Sequence, residues 1–81
     1  MQAEYRTVDI LLFMKEMRLR ILDLRVDNDY TQKQVADVLS CDQSLYSKYE
    51  RDERPLPLEY AVVLAQFYNV SLDYLVGLAN K

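Results

Sequence analysis

The stretch from Thr31 to Glu50 holds the side chains of this 81-residue chain best suited to chemistry. It reads as two short helices joined by a sharp turn. The second helix opens with Gln43 and Ser44, followed by Ser47, which are small or medium polar groups able to donate and accept hydrogen bonds. Such side chains at the start of a helix suit contact with the edges of DNA bases, where donors and acceptors are exposed in the major groove. Lys33, Lys48, Arg51 and Arg54 could sit on one side of this segment, with most acids elsewhere. Covalent chemistry finds no comparable support. The chain has no His and a single Cys, so a zinc site and a Ser/His or Cys/His nucleophile are not expected. The carboxylates form no pair with a credible substrate pocket. No enzyme activity, metal, cofactor or small-molecule ligand is expected.

Charge runs against a nucleic-acid partner. The formal net charge is -3, and within residues 31–54 the acids Asp37, Asp42, Glu50, Asp52 and Glu53 outnumber the bases. Phosphate contacts supply much of the affinity for DNA, so modest non-specific binding and marked salt sensitivity are expected. The local face matters more than the total.

The elements that would position these residues follow from periodicity and punctuation. Apolar residues make up 51% of the chain, with one Gly and two Pro, which favours helices in one small all-α domain. Ile10, Phe13, Met14, Met17, Ile21 and Leu24 recur at steps of three and four. Residues 1–16 are therefore either an extension of the first helix, from about Val8, or a separate arm in which Thr7 to Phe13 could form a short strand. From Met17 to Asp27 the pattern predicts helix, broken at Asn28-Asp29-Tyr30, where either polar residue can take a left-handed cap. Thr31 with Gln34 makes a capping box for a helix over Gln32 to Leu39, burying Val35, Val38 and Leu39, with Ala36 against a neighbouring helix. Ser40-Cys41 makes the turn, and Asp42 caps a helix to about Arg51 that buries Leu45 or Tyr46 together with Tyr49. Pro55 and Pro57 exclude a continuous helix. A fourth helix runs from Pro57 to about Tyr68, with Leu58, Ala61, Val62, Leu64, Ala65 and Tyr68 as core candidates. Ser71 caps a short last helix, Leu72 to Val76, which Gly77 ends. The domain spans 17–77, with 78–81 as a short tail.

Three of these pieces together resemble the Cro and phage-repressor type of helix-turn-helix proteins, the XRE family. They are Leu24-Arg25 six residues before Thr31-Gln32, the run from Asp42 to Arg51, and Pro57-Leu-Glu59 through the segment from Asn69 to Gly77. The resemblance covers roughly Arg18 to Gly77. It implies a compact five-helix, lambda-repressor-like DNA-binding domain whose third helix lies in the major groove while the second crosses the backbone. It also implies that Gln43, Ser44 and Ser47 read bases. Gln32, at a helix N-terminus, would hold a phosphate, with Lys33, Lys48 and Arg54 as phosphate neighbours. Arg25 and Glu50 match a structural ion pair. The family's usual glycines are replaced by Asp29, Ser40 and Asp52, and Tyr46 replaces a small β-branched residue, so it is either buried with its hydroxyl partnered or at the groove rim. Asp42 is expected to cap helix 3 and not to read a cytosine amino group.

The remaining features are weighed against simple packing. The seven Tyr lie at helical spacing, which suits a core better than base stacking. Cys41 reads as a buried structural thiol and not a redox sensor. Leu19, Leu22 and Val26 form a second apolar stripe on helix 1, to be covered by residues 1–14 or by another subunit, and Val63, Phe67, Leu75 and Val76 offer another interface. Uncharged apolar runs such as Ile10 to Met14 are far short of the roughly 20 residues of a membrane span, and no secretory signal is expected at the N-terminus. The expected protein is a cytoplasmic transcriptional regulator, a repressor that occupies a palindromic operator in double-stranded DNA as a homodimer. The rival is a protein-interaction module on the same fold, such as an antitoxin-like partner.

Overall fold

The computed structural model describes residue 17 and residues 20–77, and every regular element among them is helical. The expectations for residues 1–16, for Leu19 and for the 78–81 tail lie outside the described residues. Helix α1 covers residues 20–27. It is followed by α2 (Gln32–Leu39), α3 (Gln43–Glu50), α4 (Leu58–Tyr68) and α5 (Leu72–Leu75).

Each boundary has a local cause. At the start of α2 the Thr31 hydroxyl accepts from the Gln34 amide N–H, and the Gln34 side chain accepts from the Thr31 N–H. Two amide donors left over at the helix start are thereby satisfied reciprocally. Ser71 caps α5 in the same way, accepting from Tyr74 N–H. Asp42 occupies the N-cap position of α3, but its side chain makes no capping hydrogen bond, contrary to the sequence-based expectation. Among the described residues four non-glycines adopt left-handed conformations: Asp29, Ser40, Asp52 and Asn69. The first three stand where the resembled family usually carries glycine, so the backbone geometry is kept although the glycines are gone.

The core is built from Ile21, Val35, Ala36, Leu39, Tyr46, Tyr49, Ala61, Leu64, Ala65 and Leu75. Helix α2 packs on α3 and α4, and α4 on α5. Ala36 is buried, and its short side chain suits close approach of helices. Arg20 lies 4.4 Å from the centre of the Tyr74 ring, a cation–π contact that joins α1 to α5.

Several expected core residues are displaced. Val38, Leu58 and Val62 are exposed, Leu58 at 67%. Leu58 begins α4 immediately after the Pro57 N-cap, and its helical period carries it to the solvent side with Val62. Leu75, expected at an interface, is instead fully buried. Val26 on α1 is 54% exposed. Phe67 stays partly exposed while packing on Tyr30 at 5.1 Å between ring centres and on Tyr68 at 5.0 Å. Tyrosines among the described residues serve in packing: Tyr46 and Tyr49 are buried, and Tyr60 meets Tyr49 edge-on at 6.0 Å.

Candidate nucleic-acid interface

Tyr46 and Tyr49 face the core, which turns the opposite side of α3 outward. On that side Gln43, Ser44, Ser47, Lys48 and Arg51 line one shallow, open depression, and Gln32 completes it from the start of α2. The spacing explains the grouping, because residues three and four apart on a helix are surface neighbours. Five of the seven residues expected to contact DNA thus come together, with Arg51 beside them. Lys33 and Arg54 do not join them. Lys33 pairs with Asp37 one turn along α2 at 3.2 Å, and Arg54 lines a different hollow with Met17, Ile21, Tyr49, Asp52, Pro55 and Leu56.

Arg51 is the member that sequence reasoning grouped only loosely with the other bases. Its guanidinium donates to Ser47 Oγ at 2.7 Å and to Glu53 Oε2 at 2.6 Å. The signal was present in the sequence, since Arg51 falls four residues after Ser47 and therefore on the same helix face.

The α2–α3 pair is tied to α1 by a buried charge network. Arg25 Nε donates to Glu50 Oε2 at 2.6 Å, and a terminal guanidinium nitrogen donates to Glu50 Oε1 at 3.0 Å. The other terminal nitrogen donates to the Tyr30 carbonyl at 3.0 Å. This fork geometry suits Arg better than Lys. Gln32 Nε2 also donates to Glu50 Oε1 at 3.0 Å. That contact was not anticipated for Gln32: its amide group braces α3, and the same residue lines the depression.

Burial pushes the Glu50 carboxyl upward, but hydrogen bonding from Arg25 and the neighbouring polar groups more than offsets this, holding it below its ordinary value. The buried Tyr46 hydroxyl lies in the field of Glu50 without a hydrogen bond of good geometry. Burial and the Glu50 charge push the Tyr46 phenol well above its ordinary value and Tyr68 up to about 12, so both stay neutral near pH 7. Tyr46 is therefore a core residue and not part of the groove rim. Cys41 is half-buried, less than expected. Burial, with Asp42 nearby, raises its thiol, which disfavours the thiolate on which redox sensing depends. Among the described residues no cluster of three or more His, Cys, Asp or Glu could hold a metal ion, and no helix is long and apolar enough to cross a membrane.

A family model described as helix-turn-helix matches residues 21–75, from within α1 to the end of α5. The chain belongs to the helix-turn-helix family. The helix-turn-helix domain is 36% identical over 61 residues to an uncharacterized HTH-type transcriptional regulator, YobD, of Bacillus subtilis, covering 75% of this chain and 54% of that protein. It is 40% identical over 58 residues to the HTH-type transcriptional regulator ImmR of the same organism, covering 72% of this chain and 46% of ImmR. It is 37% identical over 58 residues to the cryptic phage CTXphi transcriptional repressor RstR of Vibrio cholerae, covering 72% of this chain and 52% of RstR. The chain spans about half the length of these curated relatives. No solved structure matches it significantly.

Proposed function

We propose that this helix-turn-helix chain is a DNA-binding transcriptional regulator, a repressor acting by operator occupancy, and not an enzyme. The observation that carries the reading is the cluster of Gln43, Ser44 and Ser47 on the outward face of α3, flanked by Lys48 and Arg51, with Gln32 beside it held by Glu50. Family membership and relatives named as transcriptional regulators and a phage repressor support it. In this reading α3 enters the major groove and Gln43, Ser44 and Ser47 meet base edges. Gln can bond adenine in two places, and Ser can pair with several bases. The N-terminus of α2, at Gln32, takes a phosphate, with Lys48, and more peripherally Lys33 and Arg54, providing further backbone contacts. The regulator works in the cytoplasm, as a homodimer on a palindromic operator whose half-sites lie about one helical turn apart.

The test is selection of bound sequences from a random DNA pool, followed by gel-shift titration. Gln43→Ala combined with Ser44→Ala should abolish specific binding while leaving the melting temperature in place, since both side chains are exposed. Specific binding that survives the double change would remove α3 as the reading helix. A second reading, a protein-interaction module on the same fold, is favoured by the exposed Leu58, Val62 and Val26 and by the acidic balance. Failure to bind any DNA at low salt would select it.

A further inference from the structure

Ser47 differs from its neighbours in the depression. Among the described residues the side chains of Gln43 and Ser44 make no hydrogen bond, so each can turn either a donor or an acceptor toward a base. Ser47 is already engaged: Arg51 donates to its Oγ at 2.7 Å. A guanidinium has donors only, so the direction of that bond is not open to choice. It occupies one lone pair on Oγ and leaves the hydroxyl hydrogen for another partner. No backbone carbonyl among the described residues takes that hydrogen.

Arg51 is itself held. Its Nε donates to Glu53 Oε2 at 2.6 Å, and a terminal nitrogen reaches Glu53 Oε1 at 3.4 Å. The carboxylate therefore grips one edge of the guanidinium while the remaining terminal nitrogen faces Ser47.

We propose that Arg51, anchored by Glu53, sets the hydrogen-bond polarity of Ser47, so that this position of α3 selects a base presenting an acceptor, guanine above the others. Guanine offers two major-groove acceptors, O6 and N7, whereas cytosine offers only a donor amino group there. Arg51 is in this sense a positioning residue that acts through Ser47. The inference rests on the assignment of α3 as the reading helix.

The experiment compares sequences selected from a random pool by the full chain and by three variants, each first checked for an unchanged melting transition. For the unaltered chain, one base pair of the half-site should prefer guanine over cytosine by about tenfold. Ser47→Ala and Arg51→Met should each relax that same base pair and leave the other preferences in place. Combined, they should relax it no further than either alone, because they remove one coupled contact. Glu53→Ala, which keeps the cation but releases its anchor, should relax that base pair as well. A uniform loss of affinity across all sequences on Arg51→Met, with a shallower salt dependence, would make Arg51 a phosphate contact and overturn the proposal. So would an Arg51→Met preference identical to that of the unaltered chain. If the unaltered chain selects no sequence at all, the DNA-reading assignment itself fails, an outcome distinct from both.

Discussion

Glu50 shows how one side chain links the scaffold to the face in front of it. It is 5% exposed, carries a full charge, and accepts hydrogen bonds from both Arg25 and Gln32. Removing one partner of a buried pair leaves the other uncompensated, at a cost of about 3–5 kcal/mol. Glu50→Ala should therefore lower the melting temperature by roughly 12 °C or more, taking about 4 °C per kcal/mol for a domain of this size. An unchanged transition in calorimetry would show that the network contributes nothing. The pH dependence follows from the same geometry. The folded protein holds Glu50 below its ordinary value of 4.5, so the unfolded chain binds its proton more readily. The stabilisation is complete above that value and is lost as pH falls through the lower, folded-state value. A series of melting curves from about pH 7 to about pH 3 should show this acid-side loss, and Glu50→Gln should lack that part of it. The pairing of Arg25 with Glu50 was legible in the sequence only through family resemblance. The Gln32 contact was not legible at all, because it depends on how α2 crosses the end of α3.

At the scale of elements, the α2–α3 turn is the least comfortable part of the frame. Ser40 holds φ 57°, and its N–H donates to Asp37 O while the next amide, Cys41 N–H, returns to Ala36 O. A left-handed conformation crowds the Cβ of any residue except glycine, costing roughly 1–2 kcal/mol, part of which glycine forfeits through its freer unfolded chain. Ser40→Gly should therefore stabilise the domain by about 0.5–1 kcal/mol without altering DNA selection. Chemical denaturation showing a loss of stability would indicate that the Ser40 side chain does more than fill the turn. By contrast, Thr31→Ala should destabilise by about 1 kcal/mol, because it removes half of the capping box. Helix starts and stops were readable because capping is local: the residues that terminate a helix lie within a few positions of it. Burial was less readable. Val38, Leu58 and Val62 have the right residue type and nearly the right period, but which part of an amphipathic helix meets the core depends on rotations of the order of one residue. Leu75 illustrates the opposite error, an apolar residue assigned to a surface that packing instead encloses.

For the whole molecule, the net charge of -3 and the grouping of Lys48 and Arg51 on one face make opposite contributions to DNA affinity. If Lys33, Lys48 and Arg54 each neutralise one phosphate, the logarithm of affinity should fall with the logarithm of salt with a slope of about -2.7 per protomer. That corresponds to about a 40-fold loss between 50 and 200 mM salt. Fluorescence anisotropy across that range checks it, and a slope near zero would remove the phosphate assignments. The sequence by itself determined an all-α domain, its helix boundaries and the polar residues of α3, since composition, capping and helical period act locally. Only the tertiary structure decided that Gln32 braces Glu50, that Tyr46 is core, and that Lys33 and Arg54 stand apart. Those outcomes depend on where helices cross and which side-chain atoms then fall within about 3 Å of one another, the reach of a hydrogen bond, and spacing along the chain does not encode that distance.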